Sequence, residues 1–257
     1  MEFKENFSID YSLSKKIAVV TGAGAGIGEA IAIYFAKKGA TIVCVDISES
    51  VKEVENKIID NGGQAVSIIA DLTKSESIQN VASVCEKTYG KVDILVNCAG
   101  VVFLDDAENI SEEAWDKTMA VNLKAPFMMA QAIGKTMIKN GGGKIINIAS
   151  SGAVVAFDKH VAYCASKGGV VLMTQVMALE WAEYNINVNA ISPTVVLTAL
   201  GKKAWSGELG EQMKKQIPVR RFCMPEEVAA MAAYLASDAA DMVTGTNMVI
   251  DGGYTIK

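Results

Sequence analysis

The sequence holds one histidine, His160, among 257 residues, so no multi-histidine metal site can be built within it and no metal is expected. Its five cysteines (44, 85, 98, 164 and 223) are odd in number and include no Cys-x-x-Cys pair. That pattern argues against a disulfide framework and suits buried thiols in a reducing compartment. No basic run exceeds two residues and the net charge is −5, so a nucleic-acid backbone finds no electrostatic track. The richest apolar stretch, 168–181, is broken by Thr174, Gln175 and Glu180 and is too short to cross a bilayer. Residues 1–16 lack the apolar core of a secretory signal, which makes the cytoplasm the expected location. Charged residues make up only 21% against 51% hydrophobic, which excludes an intrinsically disordered chain. Prolines number 4, and no Pro/Ser/Gly-rich linker divides the chain.

What is present is an alternation. Short apolar, β-branched runs occur at 16–21, 41–46, 65–71, 92–97, 144–150, 187–192 and 247–251. Such runs suit strands buried on both faces of a parallel sheet. Between them, helical periodicity covers 27–38, 51–61, 75–89, 111–140, 162–184 and 225–236. Parallel strands need helical crossovers, so the pattern predicts a doubly wound α/β sheet of about seven strands flanked by helices. We expect an extension over 1–14 and a single domain over 15–257. Within it, 194–221 fits neither strand nor long helix and is read as a lid or substrate loop.

The first strand runs into Thr21-Gly22-Ala23-Gly24-Ala25-Gly26-Ile27-Gly28 and then a helix. Glycines here permit a sharp turn and let a pyrophosphate reach bare amides at a helix N-terminus. Gly22, Gly26, Ile27 and Gly28 are therefore candidate cofactor contacts in a Rossmann-type unit. Asp46 ends the second strand, eighteen residues after Gly28. A carboxylate there accepts hydrogen bonds from an adenosine ribose and repels a 2′-phosphate, which favours NAD over NADP. A turn or capping role for Asp46 is the plainer alternative.

Tyr163 and Lys167 stand four apart at the start of a helical segment, on one face. A phenol is a poor base at neutral pH until a cation stabilises its phenolate, and Lys167 can supply that charge. Ser150, thirteen residues before Tyr163, ends a strand at the edge where open α/β sheets bind ligands.

Together these residues resemble the short-chain dehydrogenase/reductase family over nearly the whole chain. Thr21–Gly28 matches its Thr-Gly-x-x-x-Gly-x-Gly turn, and Asn97-Cys98-Ala99-Gly100 its Asn-Asn-Ala-Gly, with Cys98 replacing the second Asn. Asn122 falls at the family's helix asparagine, and Ser150, Tyr163 and Lys167 keep its spacing. Pro193 and Thr198 match Pro-Gly-x-x-x-Thr, with Thr194 replacing the Gly. The resemblance implies that phenolate Tyr163 takes the proton of an alcohol while hydride passes to nicotinamide. It implies that Ser150 holds the reacting oxygen, that Lys167 lowers the Tyr163 pKa and binds the ribose, and that Asn122 holds a relay water. It further places Asp71 and Leu72 at the adenine, Asn97 and Gly100 along the adenosine, and Val196 and Thr198 at the nicotinamide amide.

The stretches His160-Val161-Ala162-Tyr163-Cys164 and Pro193-Thr194-Val195-Val196 resemble the polyol-dehydrogenase and xylulose-reductase branch, some of whose members use NADP(H). A polyol oxidised reversibly to a ketose is therefore the expected substrate. His160 beside Tyr163 and Trp205 in the lid are candidate substrate contacts, weighed against an exposed helix start and a buried lid anchor. A 3-oxoacyl or small-ketone reductase and a dinucleotide-sensing protein without turnover are the alternatives. The resemblance also implies a homotetramer, built through the helices after Asn122 and Tyr163 and through the last strand. The apolar helix 168–181 fits that, and fits equally a helix buried within a monomer.

Overall fold

Successive residues of a strand face opposite sides of its sheet, and here both sides are covered. On β1 (Ile17–Thr21), Ala18 and Val20 enter one hydrophobic cluster while Ile17 and Val19 enter another. The computed structural model describes residues 11–257, so the first ten positions of the expected extension lie outside the described residues. The further strands are β2 (Thr41–Asp46), β3 (Gln64–Ile69), β4 (Ile94–Asn97), β5 (Gly143–Ile148), β6 (Ile186–Pro193) and β7 (Asn247–Ile250). They form one parallel sheet in the order β3-β2-β1-β4-β5-β6-β7. The chain winds outward from β1 in one direction and from β4 in the other, so a crevice opens between their carboxyl ends.

One face carries α1 (Gly26–Lys37) and α9 (Pro225–Ala236), and α2 (Val51–Asp60) packs along the same side. The other carries α3 (Ser75–Tyr89), α5 (Ala125–Lys139) and α6 (Val161–Trp181). The segment expected as one helix over 111–140 is interrupted: α4 (Glu112–Met119) passes through a π-turn, Ala120–Lys124, into α5. Pro126 has no amide hydrogen, so the α-helical bond to the Asn122 carbonyl cannot form, and Ala125 N reaches back to Ala120 O instead. The expected lid folds as two short helices, α7 (Ala199–Ala204) and α8 (Gly207–Gln216).

α6 buries Ala162, Ser166, Lys167, Val170, Thr174, Met177 and Ala178, one face at helical spacing. Its opposite face leaves Leu172 65%, Val176 53% and Leu179 84% exposed, so the helix is not buried all round within one chain.

A buried polar chain ties β4, β5 and α6 together. Asn97 donates to Asn147 Oδ1 (2.9 Å), Asn147 to Thr174 Oγ1 (2.9 Å) and Thr174 to the Val170 carbonyl (2.8 Å). Asn147→Ala leaves two buried groups without this partner, so we expect a loss of about 2–4 kcal/mol in urea unfolding. A variant as stable as the wild type would show that the chain does not hold the layers together.

Candidate active site

The glycine turn is built by close contacts. A side chain at Gly28 would place its Cβ 2.1 Å from the Gly22 carbonyl oxygen, and one at Gly22, whose φ is +67°, would meet Ala99 backbone at 2.8 Å. The turn and the start of α1 therefore pack bare backbone against backbone, as a pyrophosphate cradle requires. Asp46 is tied into it: Oδ2 accepts from Gly24 N and Oδ1 from Ser48 N, both at 2.9 Å. Neither 21–28 nor 46–50 contains a Lys, Arg or His, so no basic side chain of these segments offsets the Asp46 carboxylate.

Asp71 and Leu72 follow β3 at the same edge. Hydrogen bonds from the Thr73 hydroxyl (2.6 Å) and amide (3.0 Å) hold the Asp71 carboxyl below its usual range. Leu72 packs on the core cluster under α3. The side chain of Asn97 does not reach the crevice, because it donates to Pro126 O (3.2 Å) and Asn147 inside the sheet. Gly100 does: a Cβ there would lie 3.5 Å from Asn122 Oδ1 and 3.6 Å from Lys167 Nζ.

Tyr163, Lys167 and Ser150 converge where β5 ends and α6 begins. Lys167 Nζ donates to the Ile148 carbonyl at 2.7 Å and lies 5.8 Å from the centre of the Tyr163 ring. Burial lowers the ammonium to about 8, which keeps it charged at neutral pH. Cys98 brings no competing charge, since burial pushes its thiol up to about 12. The Ser150 hydroxyl accepts from Gly152 N (3.0 Å), and its nearness to the Tyr163 phenol favours the phenolate. Burial raises Tyr163 above the ordinary phenol value, and Ser150 offsets only part of that rise.

Asn122 is fully enclosed, and its amide clamps the loop after β4: Oδ1 accepts from Val101 N (2.8 Å) and Nδ2 donates to Val101 O (2.9 Å). Nδ2 also donates to Ser166 Oγ (3.2 Å), which donates to the Tyr163 carbonyl (2.7 Å). Ser166 was not singled out from sequence; it stands in plain view between Tyr163 and Lys167, but its partner is 44 positions away. Val196 is buried and pairs with Cys223, while Thr198 caps α7 through Gly201 N (3.0 Å). A Cβ on Gly26 would meet the Thr198 methyl at 3.0 Å, so the lid begins directly on the phosphate turn.

His160 starts α6 with its ring 5.9 Å from Tyr163, edge-on, and Nδ1 2.5 Å from the Asp158 carbonyl. Phe157 meets it edge-to-face at 5.6 Å and Tyr254 meets Phe157 likewise at 5.9 Å, an aromatic wall that no local spacing announces. Trp205 instead packs inside the lid against Phe222, at 6.2 Å. Among the described residues, no group of His, Cys, Asp and Glu is arranged to hold a metal ion.

A family model for enoyl-(acyl carrier protein) reductases matches residues 22–255. The chain belongs to the short-chain dehydrogenase/reductase family. It is 58% identical over 257 residues to the NAD-dependent glycerol dehydrogenase of Listeria innocua, covering 100% of both chains. It is 50% identical over 249 residues to the D-threitol dehydrogenase of Mycolicibacterium smegmatis, covering 96% of each. The gluconate 5-dehydrogenase of Burkholderia cenocepacia, solved with NADP and tartrate, superposes with a TM-score of 0.92 at 32% identity, over 96% of this chain and 98% of that one.

The cradle makes its own prediction. Gly28→Ala should weaken NADH binding at least tenfold by fluorescence titration, because the added Cβ forces Gly22 and α1 apart. Unchanged affinity would show that the turn is not the phosphate site.

Proposed function

We propose that this chain is an NAD-dependent polyol dehydrogenase that interconverts a small sugar alcohol and its ketose. The observation that carries the proposal is the convergence of Ser150, Tyr163 and a charged, buried Lys167 at the sheet edge that also holds the glycine turn and Asp46. Full-length relatives that act on glycerol and threitol support a short polyol as substrate.

The residues fit NAD: the turn 22–28 receives the pyrophosphate, Asp46 the adenosine ribose, and Asp71 with Leu72 the adenine side. Gly100 lines the path, Lys167 meets the nicotinamide ribose, and Val196 and Thr198 the amide. Bound NAD supplies the hydride acceptor and a positively charged ring. In oxidation Ser150 holds the substrate oxygen and Tyr163 takes its proton; in reduction Tyr163 returns it. Lys167 stabilises the phenolate, and Asn122 offers its main-chain carbonyl, which lacks an α-helical donor at Pro126, to the water that relays the proton outward. A positioned base of this kind contributes roughly 10²–10⁴-fold in rate. His160 and the polar groups of the crevice serve the remaining substrate hydroxyls.

The same reading takes 15–257 as one catalytic domain after the extension 1–14, with 194–221 as its substrate loop. It assigns the protein to the cytoplasm, in keeping with five free thiols; among the described residues no helix is long and apolar enough to cross a membrane. It also assigns a homotetramer, the outward face of α6 supplying the apolar contact together with Phe127 on α5.

Initial rates with NAD⁺ and NADP⁺ on pentitols, hexitols, glycerol and threitol test this, against isopropanol and an acyl-thioester ketone. Activity confined to the thioester would remove the polyol reading. Tyr163→Phe should lose at least a thousandfold in turnover while NADH affinity changes less than about threefold. Because burial holds Tyr163 protonated, polyol oxidation should rise from pH 7 to 9, while ketose reduction, which uses the phenol, should change little. Oxidation that slows over that range would contradict the base assignment.

A further inference from the structure

At the carboxyl edge of the sheet, two buried hydroxyl oxygens, Ser151 Oγ and Thr194 Oγ1, have no hydrogen-bond partner among the described residues. A sealed hydroxyl without a partner is unfavourable, and native proteins retain few. Both flank the reaction centre. Ser151 follows Ser150 and is wholly enclosed. Thr194 follows Pro193, the last residue of β6, and its amide donates to the Ile250 carbonyl at 3.2 Å. β6 lies beside β5, so Thr194 stands one strand over from Ser150, where the lid segment begins.

Thr194 differs from Ser151 in one respect that matters. It is only partly buried, so its oxygen is sealed while other atoms of the residue are accessible. Rotation about Cα–Cβ exchanges hydroxyl, methyl and hydrogen among three staggered positions. The oxygen breaks no hydrogen bond by leaving its present one, so a ligand that offers a partner draws it out against little resistance. The residues that follow, Val195, Val196 and Leu197, are apolar, and the Thr198 hydroxyl is already engaged in the α7 cap. The glycine of the family motif at this position would offer neither hydroxyl nor bulk.

We propose that Thr194 is a specificity-determining residue for polyols. Its hydroxyl turns outward to hydrogen-bond the substrate hydroxyl on the carbon next to the one oxidised, while Ser150 and Tyr163 hold the reacting oxygen. The inference deepens the polyol reading and rests on it. It makes vicinal diols the preferred class over simple secondary alcohols.

Thr194→Val replaces the hydroxyl by a methyl of the same shape, and Thr194→Ser keeps it. Both are compared with the wild type for kcat/KM on threitol and on isopropanol, and for thermal midpoint without ligand. Thr194→Val should lose at least tenfold on threitol and less than about twofold on isopropanol, with Thr194→Ser within about threefold of wild type on both. Removing a sealed, unpartnered hydroxyl should also raise the Thr194→Val midpoint, by about 2–4 °C. Equal losses on the two alcohols, or a lowered midpoint, would assign the hydroxyl to the fold and overturn the inference. Full threitol activity in Thr194→Val overturns it alone. A wild type that oxidises isopropanol but no polyol overturns the polyol reading and this inference with it.

Discussion

The rest of the site is arranged around one buried charge, the ammonium of Lys167. A charge removed from water is tolerated only where the fold supplies partners, and burial here lowers the group to about 8 without neutralising it at pH 7. The Ile148 carbonyl accepts a hydrogen bond from it at 2.7 Å. Glycine at position 100 keeps the space above it clear, since even a methyl there would come within 3.6 Å of Nζ. The loop that carries Gly100 is held in turn by the Asn122 amide on both backbone atoms of Val101. The π-turn thus has a reason: it sets Asn122 so that one side chain fixes the β4 loop and, through Ser166, the first turn of α6.

The cofactor end depends on a different constraint, close approach. Gly22 and Gly28 bring the turn and α1 together at a distance no side chain permits, and Asp46 binds that turn to the end of β2. Because the Thr198 methyl rests against Gly26, the lid is anchored on the phosphate turn itself. The side chain that caps α7 is thus in contact with the glycine turn.

The parallel strands were legible because a sheet covered on both faces needs uninterrupted apolar, β-branched runs, and seven such runs are present. The end of the run was less legible than its existence. The strands end at Ile69 and Ile148, before the runs 65–71 and 144–150 do, although the amides of Ala70 and Ala149 still reach the Asp46 and Ile191 carbonyls of the neighbouring strands. The break within 111–140 was less legible, since Pro126 is compatible with the first turn of a helix and also with the π-turn that its missing amide here accompanies. Trp205 and Asn97 show the limit from the other side: a motif places a residue along the chain, but Phe222 and Asn147 decide where the side chain points.

The two central groups also show why the chain alone is not the catalyst. Burial disfavours charge on both, so it pushes Tyr163 up and Lys167 down. At neutral pH the resting pair is therefore phenol and ammonium, with Ser150 near the phenol. Phenolate formation needs a further positive charge in the same enclosed space, where screening is weak and such a charge acts strongly. Under the proposed function an oxidised nicotinamide ring would supply that charge and a reduced one would not. On the proposed mechanism, the burial that disfavours the Tyr163 phenolate in the free protein would make its basicity depend on the oxidation state of the bound cofactor.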